Sequence, residues 1–275
     1  MKSLLRLYGS FNYLSIDVAC GAMGCAAFFA RILQVQLRPY GLASLGLTVW
    51  IIYTADHLLD AHRLKHEASS PRHRFHQNNF RVLLIVLVIA VLVDLLLAFF
   101  IRKPILNWGM GLSVIVLFYL WLQRRLVVIK ELVISLLYSA GILIPAMSLT
   151  MKMISASEII LIAIFTLTAF INLVLFSWYD WKQDLKDDHF SLVTNLGRDR
   201  AKNILIILFS AQAMLVGGLI LFSLYQVEAL ILAGMNLPLL ILLFFPEKFS
   251  DNNHYRLIGD IVFIFPILYL LTGNQ

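Results

Sequence analysis

The sequence predicts an all-α, polytopic membrane protein, and three observations predict it. Of 275 residues, 60% are hydrophobic and only 14% are charged, with a mean hydropathy of +0.84; a soluble domain carries about 25% charged residues. The charges are gathered into short stretches between long apolar runs. Those runs have the length of about 20 residues that a helix needs to cross the hydrocarbon core, and a helix satisfies its own backbone hydrogen bonds there.

Nine spans are expected, at roughly 11–33, 40–61, 81–101, 104–123, 128–149, 157–181, 202–223, 226–246 and 255–273, as a single transmembrane domain over residues 1–275. The first run is long enough to cross and lacks a small-residue cleavage site behind a short apolar core, so it reads as a span rather than a removable signal. Its two cysteines, Cys20 and Cys25, have no evident set of further metal ligands beside them and read as small packing residues. Spans two and six each end in aspartates and lead into a long basic connection, at about 62–80 and 182–201. Four spans separate them, so both point the same way through the membrane. This implies two similar four-helix units packed face to face, with a ninth helix added. Pro145, Pro238 and Pro266 fall inside spans and are expected to kink them. Gly21 with Gly24, Gly109 with Gly111, and Gly217 with Gly218 are expected to permit close helix contact or bending.

Placing the N-terminus and the even-numbered connections on one side puts 17 of the 22 Lys and Arg residues there. That side is expected to be cytoplasmic, with the N-terminus and the active-site connections facing it and a bacterial inner membrane as the location. The net charge of +6 sits at helix ends, where it meets anionic lipid. No basic groove with interleaved aromatics stands outside the spans, which excludes nucleic acid as a partner.

The first acid cluster, TADHLLDAHR, holds Asp56 and Asp60, and the second, WYDWKQDLKDD, holds Asp180, Asp184 and Asp188. Four-residue spacing lines each set along one helix face. Charges at membrane helices are costly and read as functional. Two converging carboxylate faces repel unless a cation lies between them, and magnesium holding a diphosphate is the most economical candidate. Diphosphate also asks for cationic side chains, and Arg63, Arg72, Arg74, Lys182 and Lys186 form the pool. Tyr53 stands one turn before Asp56 and is a hydrogen-bond donor for phosphate; Tyr179 adjoins Asp180, and Asn172 lies two turns before it, facing the same cavity. His57, His62, His66, His73 and His76 are close in sequence but fit no recognised zinc spacing.

These residues resemble the UbiA superfamily of intramembrane prenyltransferases, which has nine helices and two aspartate-rich motifs. The second family motif, D-x-x-x-D-x-x-x-D, matches fully at Asp180, Asp184 and Asp188, and the following HFSLVTNLG is similar to the family's Thr and Leu-Gly before helix seven. In the first motif, N-D-x-x-D-x-x-x-D, Asp56 and Asp60 match, while Ile52 and Tyr53 replace the leading Asn-Asp. The segment SPRHRFH is similar in charge, though not in order, to the family's Arg-Pro-containing segment.

The resemblance implies an enzyme that binds a prenyl diphosphate through two magnesium ions. Asp56, Asp60, Asp180, Asp184 and Asp188 would hold the metal, the first four as the catalytic set. The apolar tail would enter a cavity facing membrane lipid, diphosphate would leave, and a lipophilic acceptor, often aromatic, would capture the carbocation-like carbon. Phe118, Tyr119, Trp121, Tyr138, Phe176 and Trp178 are candidates to stabilise that cation by their ring faces. A terpene cyclase and a non-catalytic lipid-binding protein on the same fold are the alternatives, the latter favoured by the shortened first motif. A secondary transporter would place its ionic residues near mid-membrane, whereas these acids lie at one end.

Overall fold

A computed structural model describes residues 11–64, 68, 70–122, 126, 129–187, 190–250 and 254–271, without the Arg63 side chain. The helices in chain order are α1 (Ile16–Ile32), α2 (Pro39–Arg63), α3 (Pro71–Asn78), α4 (Phe80–Ala98), α5 (Lys103–Leu122), α6 (Lys130–Met147) and α7 (Ala156–Lys186). They continue as α8 (Leu192–Leu196), α9 (Arg198–Phe222), α10 (Gln226–Phe244), α11 (Pro246–Phe249), α12 (His254–Ile261) and α13 (Pro266–Leu271). A 3₁₀ turn over Val262–Ile264 joins the last two, and Pro266 begins α13 rather than lying within a continuous helix. Pro145 and Pro238 lie inside α6 and α10.

Among the described residues, eight helical stretches are long and apolar enough to cross a membrane. The expected first span is shorter, 17 residues in α1. The chain is an integral membrane protein. The sixth span runs five residues beyond its expected end of 181, to Lys186, so Asp180 and Asp184 sit on the same continuous helix.

Packing places α1 and α7 inside. α1 contacts α2, α6 and the last span, and α7 contacts α6, α9 and α10. α4 and α5 lie at the periphery with most of their surface open, and their exposed Val, Leu, Ile, Phe and Trp side chains form a lipid-facing wall. Phe29, Tyr138, Phe165 and Phe263 interlock at the centre, with ring centroids 5.2 Å apart for Phe29–Phe165 and 5.4 Å for Tyr138–Phe263. Gly21 and Gly24 let α1 approach the last span. A Cβ on Gly21 would lie 2.9 Å from Phe263, and one on Gly24 would lie 2.5 Å from Ile267. Gly109, Gly111, Gly217 and Gly218 have nothing within 4 Å of a Cβ position, so the expected close contacts at those pairs are absent.

The two long connections are built alike. Each acid helix is followed by a short helix and then a span: α2–α3–α4 and α7–α8–α9. Ser70 caps α3 by accepting from the His73 amide at 3.1 Å, with Pro71 in the first turn. Ser191 and Thr194 form a reciprocal capping box on α8. Gly197 follows with φ of 87°, a left-handed backbone that glycine adopts without strain. These two elements fold the connections back onto the acid-bearing ends of the bundle.

Candidate functional site

α2 and α7 bring their acid rows to one cavity of about 230 Å³. Asp56 and Asp60 line it from α2, Asp180 and Asp184 from α7, and Asn172 from two turns deeper on α7. Tyr53 and His57 line it from α2, and Arg72 and His73 from α3. Its apolar wall includes Val18, Ile134, Tyr138, Ala169, Phe176 and Phe263. Asp188 lies outside the described residues, as does the Arg63 side chain.

Four of the expected substrate-binding residues stand elsewhere. Lys182 and Lys186 are exposed on α7 and do not line the cavity. At 100° per residue, Lys182 lies about 200° round the helix from Asp180 and Lys186 about 200° from Asp184. Tyr179 donates to the Leu242 carbonyl at 2.6 Å and stacks on Tyr255 with centroids 4.3 Å apart, which ties α7 to α10 and α12. Arg74 turns back onto its own connection, donating from Nε and Nη2 to the Ala68 carbonyl at 3.3 and 3.2 Å. Of the aromatics, Tyr119, Tyr138 and Phe176 line the cavity. Phe118 and Trp121 face outward, and Trp178 is held by the Arg198 carbonyl and guanidinium.

The site also recruits residues that spacing does not reveal. Arg256, on α12, pairs with Asp180 Oδ2, and the neighbouring Tyr255 hydroxyl donates to Asp180 Oδ1. Glu131, at the start of α6, is 3% exposed; its Oε1 accepts from Ser177 Oγ at 3.0 Å and from the Leu192 amide at 2.9 Å. That second bond fastens α8 to the cavity rim. Asn12 bridges Asp17 and Asp260 with two 2.7 Å bonds. Away from the cavity, Asp94 on α4 accepts from Ser44 Oγ and Thr48 Oγ1 at 2.6 and 2.7 Å, which holds α2 against α4.

Arg72 is 4% exposed and donates to Ser15 Oγ. Burial lowers its pKa from the ordinary value, while the Asp260 charge opposes that shift. His76 is buried beside it, and its Nδ1 donates to the Arg72 carbonyl at 2.9 Å. Burial and the Arg72 charge hold its pKa below the usual histidine value, against the raising effect of that carbonyl bond. His57, His73 and His76 pack ring to ring, with His57–His76 centroids 4.9 Å apart.

Several buried polar atoms on the cavity wall have no hydrogen-bond partner: Arg72 Nε, Tyr119 Oη, Glu131 Oε2, Tyr138 Oη and Asn172 Oδ1. Unsatisfied buried groups cost about 1–3 kcal/mol each, so their gathering at one cavity fits a site built for a polar ligand. For magnesium the fit is partial. The donors are carboxylate oxygens, as a hard cation prefers, and magnesium is commonly held by one or two carboxylates plus waters and substrate phosphates. No group of three or more His, Cys, Asp or Glu among the described residues is close enough to hold a metal unaided. Asp56, Asp60, Asp180 and Asp184 supply that donor type at the cavity; Asp180 also pairs with Arg256 through Oδ2 and accepts from Tyr255 through Oδ1.

No protein-family model and no curated protein sequence matches the chain. Solved structures do. A UbiA homolog from Aeropyrum pernix K1 matches with a TM-score of 0.69 at 14% identity, over 94% of this chain and 98% of that one. A UbiA homolog from Archaeoglobus fulgidus bound to GPP and Mg2+ matches with a TM-score of 0.67 at 15% identity, over 96% and 98%. A structure of digeranylgeranylglyceryl phosphate synthase matches with a TM-score of 0.57 at 14% identity, over 99% and 100%. The fold is that of the UbiA homologues. Within this UbiA-type fold, α2 and α7 carry the two aspartate rows that the sequence resemblance singled out.

Proposed function

We propose that the protein is a magnesium-dependent intramembrane prenyltransferase, transferring a prenyl group from a prenyl diphosphate to a lipophilic acceptor. The observation that carries this reading is the convergence of Asp56, Asp60, Asp180 and Asp184, from helices more than a hundred residues apart in sequence, on one cavity that also holds Arg72 and Arg256. A cavity with acids and guanidiniums at one end and Tyr138, Ala169, Phe176 and Phe263 on its walls has the chemistry of an amphiphile with a diphosphate head and an apolar tail. The Archaeoglobus fulgidus homologues, solved with GPP or DMAPP together with Mg2+, carry such ligands on the same fold.

Magnesium, when bound, would neutralise the diphosphate and stabilise the charge it gains on leaving. Asp56, Asp60, Asp180 and Asp184, the carboxylates of the two aspartate rows that line the cavity, would hold it. The chain's own groups do the rest. Arg72 and Arg256 face the head group and stabilise developing negative charge from fixed positions. Phe176, Tyr138 and Tyr119 offer ring faces to the electron-poor carbon, and the apolar walls keep water from it. The active-site end faces the cytoplasm, on the Lys and Arg distribution.

The deciding experiment incubates purified protein with labelled prenyl diphosphates of several lengths and an extract of membrane lipids, with and without magnesium, followed by product analysis. A prenylated acceptor formed only with magnesium supports the proposal. A cyclic hydrocarbon formed without an acceptor would replace it with a terpene cyclase. Binding without turnover would leave a lipid-binding protein.

A further inference from the structure

We infer that the rings of Tyr138, Phe165 and Phe263 are the floor of the prenyl site and limit the chain it takes to about ten carbons, a geranyl group or shorter. The inference rests on the proposed function above and deepens it by naming the length of the prenyl donor.

The floor begins with one helix face. Phe165, Ala169, Asn172, Phe176 and Asp180 recur every three or four residues on α7 and share a side. The last four line the cavity and Phe165 does not. Phe165 is fully buried one turn below Ala169, and the lining stops there. Its ring meets Tyr138 of α6, stacked at 6.3 Å, and Phe263 of the last span, edge-on at 6.1 Å. Those two rings face the cavity as part of its lining. Behind them Phe29 packs edge-on against Phe165 at 5.2 Å. The layer is backed as well as packed. A Cβ on Gly21 would lie 2.9 Å from Phe263, and the Phe263 carbonyl is 3.2 Å from Cys25 Sγ, so α1 presses directly on the last span.

The depth above the floor sets the length. Seven residues separate Glu131 from Tyr138, and seven separate Arg256 from Phe263, so the charged end stands about 11 Å above the rings on both helices. On α7 the eleven residues from Asp180 to Ala169 make about 17 Å. The diphosphate takes the first part of that length. With carbon–carbon bonds of about 1.5 Å, an extended chain advances roughly 1.25 Å per bond. That is about 9 Å for the seven bonds of a geranyl chain, about 14 Å for the eleven of a farnesyl chain and about 19 Å for the fifteen of a geranylgeranyl chain. A geranyl chain ends at the rings, and the longer two overrun them. The cavity is correspondingly small: 230 Å³ lies below the roughly 300–1,000 Å³ of sites for drug-sized ligands. A longer chain would have to displace packed rings or turn aside past the half-buried Ile52, Leu120 and Ile134.

The test measures affinity against chain length. The full chain in lipid nanodiscs with magnesium is titrated with unreactive dimethylallyl, geranyl, farnesyl and geranylgeranyl thiolodiphosphates. Binding is read by calorimetry and corrected for partition into empty nanodiscs. Affinity is expected to rise from dimethylallyl to geranyl as more apolar surface is buried. It is expected to fall about tenfold or more from geranyl to farnesyl and geranylgeranyl, because the extra carbons overpack the floor. Tyr138→Ala and Phe263→Ala each remove one ring from the floor and are expected to bring farnesyl to within about twofold of geranyl, by opening space below it. The quantity compared is the farnesyl-to-geranyl ratio, which a general weakening of binding does not move. A wild type that binds farnesyl or geranylgeranyl as tightly as geranyl would overturn the inference, because the tail then leaves sideways. Folded ring variants that keep the wild-type ratio would overturn it too. If neither variant folds, the order of the four affinities in the wild type decides it. Failure of all four analogues to bind would instead overturn the proposed function, and this inference with it.

Discussion

Asp184 and Lys182 are two residues apart on α7 and face different worlds, which makes them a test of the site as drawn. Asp184→Asn is expected to lower magnesium-dependent turnover on the order of 100-fold or more, comparable to removing one group that stabilises a developing charge. The double substitution Lys182→Ala with Lys186→Ala is expected to leave turnover within about twofold, since neither side chain lines the cavity and exposed charges contribute little. Equal losses in both would mean that the phosphate is held outside the cavity. At this scale helical arithmetic made Asp56, Asp60, Asp184 and Asn172 legible, because residues four or eight apart share a face. The same arithmetic already places Lys182 and Lys186 away from that face, and charge type alone made them seem useful. Arg256 and Glu131 were not legible, because each meets its partners through tertiary packing across 46 to 76 residues. The hint for Arg256 was an arginine at the membrane-facing start of the last span on the acid-bearing side.

The elements carry their own predictions. α3 is a polar helix pressed against α2, and its core contact is the neutral His76 beside Arg72. Because the folded pKa of His76 lies below the unfolded value, the unfolded chain takes up the proton first as pH falls. The stability from keeping it neutral is therefore present above about pH 6.5 and lost as pH falls from there toward the folded pKa. Melting temperatures measured between pH 8 and pH 5 should fall in the wild type and fall less in His76→Asn, whose amide can still donate to the Arg72 carbonyl; parallel curves would refute the assignment. Helix contact gives a second test. Gly24→Val should destabilise by about 1–3 kcal/mol through overpacking against Ile267. Gly217→Val, with nothing near its Cβ position, should change the melting temperature in the same detergent far less. The small-residue pattern was legible as a list of glycines, but which pairs meet a neighbour depends on helix rotation, and hydropathy does not give it. Likewise the Ser70 and Ser191 caps are visible in SSPR and SLVT, yet the short helices they start were hidden by the polarity of the connections.

For the whole molecule, the consequential property is polarity across the membrane. α6 begins at the cavity with Glu131 and ends at Met147, so the following segment, with Met151 fully exposed, belongs to the opposite end of the bundle. α12 begins next to the cavity with Tyr255 and Arg256, so the α10–α12 connection, with Lys248 exposed on α11, belongs to the acid-bearing end. The basic connections crowd that same end, and positive charge is retained on the cytoplasmic side. A Cys20→Ala background removes the exposed native thiol, while Cys25 is buried with its Sγ 3.2 Å from the Phe263 carbonyl. In that background, Met151→Cys should react with a membrane-impermeant maleimide added to intact cells. Lys248→Cys should react only after the cells are opened. The reverse pattern would turn the protein over and put the diphosphate site on the face where prenyl diphosphates are not made. Labelling of both from one side would break the span count itself, and with it the opposed packing that lets α2 and α7 share one cavity.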